Sequence, residues 1–129
     1  MLRPINPPGH IIPGISQGML IESGRMFVLS GHVPFDAQGR VAGADVPAQL
    51  EQVFQNLGAT LQAAGTNFHA IARLTIYVCN YEPILLPAVR AVRDRWINSE
   101  KPPASALIGV ASLFHPDVLV EVDAIAVLS

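Results

Sequence analysis

The sequence predicts an α+β fold in which two helices pack on one face of a single mixed β-sheet. Three features point there. The apolar spacing changes from alternation to threes and fours after Asp45, changes back after Gly65, and the chain closes on two apolar runs separated by a short loop. The resulting order is β-β-α-β-α-β-β, and 129 residues suit one domain spanning 1–129.

"GMLIESGRMFVLSG" holds two apolar runs around Ser23-Gly24, a turn dipeptide, and reads as a β-hairpin. "DAQGR" at 36–40 marks the next turn. In the first helix Leu50, Val53, Phe54, Leu57, Leu61 and Ala64 form the apolar stripe, with Gln49, Gln52, Gln55, Asn56 and Gln62 between them. Asp45 caps it, Pro47 opens its first turn and Gly65 ends it. "IARLTIYVCN" alternates, with Ala72, Leu74, Ile76 and Val78 on one face and Arg73, Thr75, Tyr77 and Cys79 on the other. A second helix begins near Pro87, burying Leu85, Val89, Val92 and Trp96, and stops before the Lys101–Pro103 turn. Strands near 106–111 and 118–128 finish the chain.

Composition narrows the classes of function. A net charge of −2 without a basic cluster lacks the electrostatic footprint of a nucleic-acid binder. No apolar run approaches the roughly 20 residues that span a bilayer, and the proline-broken start "MLRPINPPGHIIPG" is no signal core. One cysteine, Cys79, allows no internal disulfide, and a cytoplasmic location is expected. His10, His32, His69 and His115 have no metal-ligand spacing, and no nucleophile-elbow motif is present.

The last strand carries the sharpest question. Val118, Val120, Val122, Ala124, Ala126 and Leu128 suit the face under the helices. The opposite face then holds Leu119, Glu121, Asp123, Ile125 and Val127 beside Arg73, Thr75 and Tyr77. A face with large aliphatics, a few charges and no helix over it has the character of a subunit interface. With only 14% charged residues and half the chain apolar, a homo-oligomer is expected.

"SGHVPFDAQGRV", "LTIYV" and "VLVEVDAIAV", in this order and spacing, resemble the Rid (YjgF/RidA) family, also called L-PSP endoribonuclease-like proteins. The resemblance runs from about Ser16 to Val127. It implies a chorismate-mutase-like homotrimer with three clefts between subunits, each taking a small-molecule metabolite. The best-known members hydrolyse reactive enamines and imines to a 2-oxo acid and ammonia without metal or cofactor. By the same resemblance Glu121 holds the attacking water, Gly31 lines the cleft, and Ser16 with Gln17 belongs to a substrate-binding segment. Leu107 falls on the cleft wall and Arg90 near a cleft asparagine. Two positions depart from the pattern: Ile15 stands where the family has tyrosine, and Ser105 where archetypal members carry the arginine that grips the substrate carboxylate. Arg90 or Arg93 from the second helix, or Arg73 from the sheet, could supply that cation. A non-catalytic binding protein on the same scaffold is the rival reading.

Plainer roles are also expected for several of these residues. Asp123 reads as a structural partner of Arg73 or of a neighbouring subunit, and Arg90 as an i,i+4 surface pair with Asp94. Arg93 reads as a rim residue, Ser105 as a turn hydroxyl, and Cys79 as an inert strand-end thiol.

Overall fold

The computed structural model describes residues Met1–Ser129. Its order is β1 (Leu2–Ile5), β2 (Gly18–Ile21), β3 (Arg25–His32), α1 (Val46–Ala63), β4 (Ile71–Cys79), α2 (Leu86–Asp94), β5 (Ala104–Val110) and β6 (Val120–Leu128). The main sheet runs β3-β6-β4-β5. Only β4 and β5 are parallel, and α2 lies in the crossover between them; the other pairs are antiparallel. The α+β class, the mixed sheet and the two helices agree with the sequence reading.

The expected hairpin does not form. β2 pairs with β1, a strand the sequence reading missed, in a separate two-stranded ribbon, whereas β3 joins the main sheet beside β6. There are thus two sheets rather than one. Gly24 is the reason the two apolar runs part: at φ +110° it occupies a conformation open to glycine, and a Cβ there would lie 2.6 Å from the Leu128 carbonyl oxygen and from Val127 Cγ1. The chain therefore crosses the end of β6 instead of folding back on itself. Pro4 is tolerated in β1 because a two-stranded ribbon leaves one side of each strand without a ladder.

α1 forms as its sequence demands. The Asp45 carboxylate accepts from Ala48 N at 2.9 Å, Pro47 lies in the first turn, and Gly65, at φ +81°, follows the last turn. Leu50, Val53, Phe54, Leu57 and Leu61 are fully buried against Leu74, Val78, Val120 and Val122. Each such side chain contributes about 1.5–3 kcal/mol by leaving water. Gln49, expected among the polar positions, is buried instead. Its amide donates to the carbonyls of Gly43 and Asp117 and its oxygen accepts from Leu119 N, fastening α1 to the approach to β6.

α2 buries Val89 and Val92. Trp96, past its end, stacks on Phe54 with ring centroids 6.2 Å apart and donates from Nε1 to Glu51 at 2.8 Å. The face away from the helices carries Tyr77 opposite Glu121, Thr75 opposite Asp123 and Arg73 opposite Ile125. Val28 is 68% exposed and Met26 60% exposed on β3, and their register partners Ile125 and Val127 place both on that face. Thr75 and Val127 are closed off, Val127 beneath the Gly24 turn. No helix is long and apolar enough to cross a membrane.

Candidate functional site

The first cluster sits on the open face. The β3–β6 ladder shifts register between Leu29 and His32, and this irregularity sets Gly31 against Glu121. A Cβ at Gly31 would lie 2.1 Å from Glu121 Oε2 and 2.8 Å from its carboxyl carbon. Only glycine leaves room for the carboxylate to rest against the strand. Partial burial raises the Glu121 pKa above the usual carboxylate value, and the neighbouring Asp123 charge adds to the rise.

Asp123 does not pair with Arg73 as expected. The Tyr77 hydroxyl donates to Asp123 Oδ2 at 3.1 Å, because the register sets Asp123 opposite Thr75, one pleat from Tyr77, and Arg73 opposite Ile125. Desolvation and the acceptor Asp123 raise the Tyr77 pKa. The shifted strand is itself held by His32, whose Nδ1 meets the Ser30 carbonyl and whose Nε2 meets Thr60 Oγ1, both at 2.7 Å. A carbonyl only accepts, so Nδ1 donates to Ser30, while the Thr60 hydroxyl that meets Nε2 also lies 3.3 Å from the Asn56 carbonyl. Sequence reading examined His32 only as a metal ligand; its place next to Gly31 in "SGH" was the available signal for a supporting role.

The second cluster is a cleft of about 80 Å³ between α2, β5 and the Pro13–Ile15 turn. Ile15, Arg90, Arg93, Asp94, Ser105 and Leu107 line it. Ser105 lies inside β5 rather than in the preceding turn, and pairs with Leu74 as Leu107 pairs with Ile76. Those partners belong to the core under the helices, so Ser105 and Leu107 face the opposite side of the sheet from Glu121 and Gly31. One chain does not bring the expected site residues together. Ser16 lines neither cluster: it is buried, its hydroxyl donates to the Pro102 carbonyl at 2.6 Å, and it fixes the preceding turn over the cleft.

Two expectations for α2 are corrected. Arg93 is no rim residue; it is 5% exposed, because the turn at Gly14 folds over it. Its Nη1 donates to Asp94 Oδ1 at 3.1 Å, so Asp94 serves Arg93 and not Arg90, which is left exposed on the cleft wall. Cys79 is buried, its thiol 3.5 Å from the Val118 carbonyl oxygen.

The helix-backed mixed sheet and the carboxylate on its open face define the class, and comparison gives the family. The family model for endoribonuclease L-PSP matches residues 14–128. The chain belongs to this family, known also as Rid or YjgF. A crystal structure of YyfB, a Rid-family protein of unknown function from Yersinia pestis, is 33% identical, superposes with a TM-score of 0.88 and matches 98% of each chain. The protein DfrA of Myxococcus xanthus is 37% identical over 113 residues, 87% of this chain and 83% of its own. The 2-iminobutanoate/2-iminopropanoate deaminase of Salmonella typhimurium is 32% identical over 124 residues, 95% of this chain and 92% of its own.

Proposed function

We propose that this chain is an enamine/imine deaminase that hydrolyses small reactive imines to a carbonyl product and ammonia, with Glu121 as the general base. The observation that carries the reading is the Glu121 carboxylate, seated on Gly31 with its pKa raised by partial burial. A base poised nearer neutrality takes and returns a proton more effectively than an ordinary surface carboxylate. The similarity to 2-iminobutanoate/2-iminopropanoate deaminases supports the choice of reaction.

The chemistry balances with one water. Glu121 accepts a proton as the water oxygen bonds to the carbon of the protonated imine, giving a neutral carbinolamine. The protonated carboxyl then passes that proton to the amine nitrogen. The C–N bond breaks, the hydroxyl proton passes to Glu121 as the carbonyl forms, and the released ammonia takes that proton up as ammonium, which restores the carboxylate. No cofactor enters these steps.

Substrate would sit between the Gly31–Glu121 face of one copy and the Ser105–Leu107 cleft of the next, in a homotrimer. Two facts favour a shared site: the clusters lie on opposite faces of one sheet, and β5 is an edge strand. The proposal places the protein in the cytoplasm, where its free cysteine stays reduced, acting on a metabolite rather than on nucleic acid or membrane. In a direct test, Glu121→Gln lowers the rate of 2-iminobutanoate hydrolysis by about two to four orders of magnitude while retaining 2-oxobutanoate binding. Binding by wild type with no turnover would instead favour the non-catalytic reading, which the missing arginine at position 105 motivates.

A further inference from the structure

Arg93 holds the only two buried side-chain nitrogens with no hydrogen-bond partner, Nε and Nη2. Nη1 is already engaged with Asp94. Nε and Nη2 form the side-on edge of a guanidinium, whose two parallel N–H groups match the two oxygens of a carboxylate. A buried donor without an acceptor is destabilising, so a charged pair of them calls for an anion.

The surroundings form a built site. Arg93 is 95% buried by its 5% exposure and lines the cleft with Ser105 and Leu107. The Gly14 turn closes on it from outside: a Cβ there would meet Nη1 at 3.3 Å and Asp94 Oδ1 at 3.2 Å. Ser16 fastens that turn to the Pro102 carbonyl. The free volume, about 80 Å³, equals two or three waters at roughly 30 Å³ each. It admits a carboxylate on a short chain and no ring. Asp94, with its side chain 55% exposed, partly offsets the guanidinium charge, and Arg90 on the same wall restores a net positive balance.

We infer that Arg93 is the carboxylate anchor of the cleft, gripping a small 2-oxo or 2-imino acid through Nε and Nη2 beside the Ser105 hydroxyl. The acid as substrate rests on the proposed reaction; the anion site rests on Arg93 itself. The inference relocates the needed cation from β5 to α2, one helix turn inward of Arg90.

Calorimetric titration with 2-oxobutanoate, and with butanone as the uncharged counterpart, tests it on the full chain. Wild type is expected to bind the acid saturably and the ketone not at all. Arg93→Met is expected to weaken acid binding about ten- to hundredfold, the range of a charge-assisted contact, and Arg93→Lys, with charge but no fork, to fall between. Ligand-free Arg93→Met is expected to melt at or above the wild-type temperature, since the unpartnered donors are gone. Equal acid binding by Arg93→Met and wild type overturns the inference. So does a Met variant that unfolds or changes oligomer mass while wild type ignores the acid, which would make Arg93 a structural or inter-subunit contact. Wild-type binding without imine turnover leaves the anchor and removes the reaction. Turnover whose kcat and KM are unmoved by Arg93→Met removes the anchor and leaves the reaction.

Discussion

At the scale of the residue, the proposed reaction depends on a carboxylate and the glycine under it. Gly31→Ala would thrust a methyl group into Glu121, 2.1 Å from Oε2. Hydrolysis by this variant is expected to fall at least as far as in Glu121→Gln, and a crystal structure should show the carboxylate displaced. The pH dependence of stability has a definite sign. Glu121 binds its proton more tightly when folded than when unfolded, being raised above 4.5. Its contribution is therefore full below pH 4.5 and is lost as pH rises through the folded value. Glu121→Gln, which does not titrate, should melt above wild type at pH 7, and the gap should close as the pH falls below 4.5; melting curves across that range check it. Glu121 and Gly31 were legible as cleft candidates through the family resemblance, and the structure sets them in contact. Arg93 was legible only as one of three candidate cations, because helical spacing alone places it beside the apolar stripe and says nothing of the Gly14 turn that buries it.

Among the elements, helices were the easier reading. The α1 cap, proline and terminal glycine are local signals, and each acts within a few residues of itself. Partner choice among strands is not local. The run Gly18–Ile21 is short and apolar on either reading, and its pairing with Leu2–Ile5 rather than with β3 is settled by close packing at Gly24, remote in sequence from Leu128. Gln49 was misread for the same reason, since its three backbone partners include Asp117 and Leu119. Gln49→Leu would fill the space and strand those groups, at about 1–3 kcal/mol for each one left unsatisfied. Urea unfolding should register a loss of at least 2 kcal/mol; unchanged stability would mean that water or a rearranged loop satisfies them. Gln62, exposed on the same helix, is the control and should change stability little.

For the whole molecule, the open face is the feature that one chain leaves unresolved. It presents Met26 and Val28 largely exposed beside the Tyr77–Asp123 pair and Glu121, a mixture suited to burial against another copy. Light scattering is expected to give three times the 13.8 kDa chain mass, and Val28→Lys to lower it. A monomer in wild type would leave Glu121 and Ser105 on opposite sides of one sheet with nothing to join them.

The central claim is that catalysis needs Glu121 from one copy and the Ser105 cleft from another. Complementation tests it directly. Glu121→Gln lacks the base, and Ser105→Trp blocks the cleft, so each variant alone should be inactive. Refolded together at equal amounts, they should form mixed trimers in which about a quarter of the clefts combine two intact halves. Imine hydrolysis should then recover to about a quarter of the wild-type rate. Mixed trimers demonstrated by mass yet as inactive as either parent would contradict a shared site, and with it the account of how this chain works.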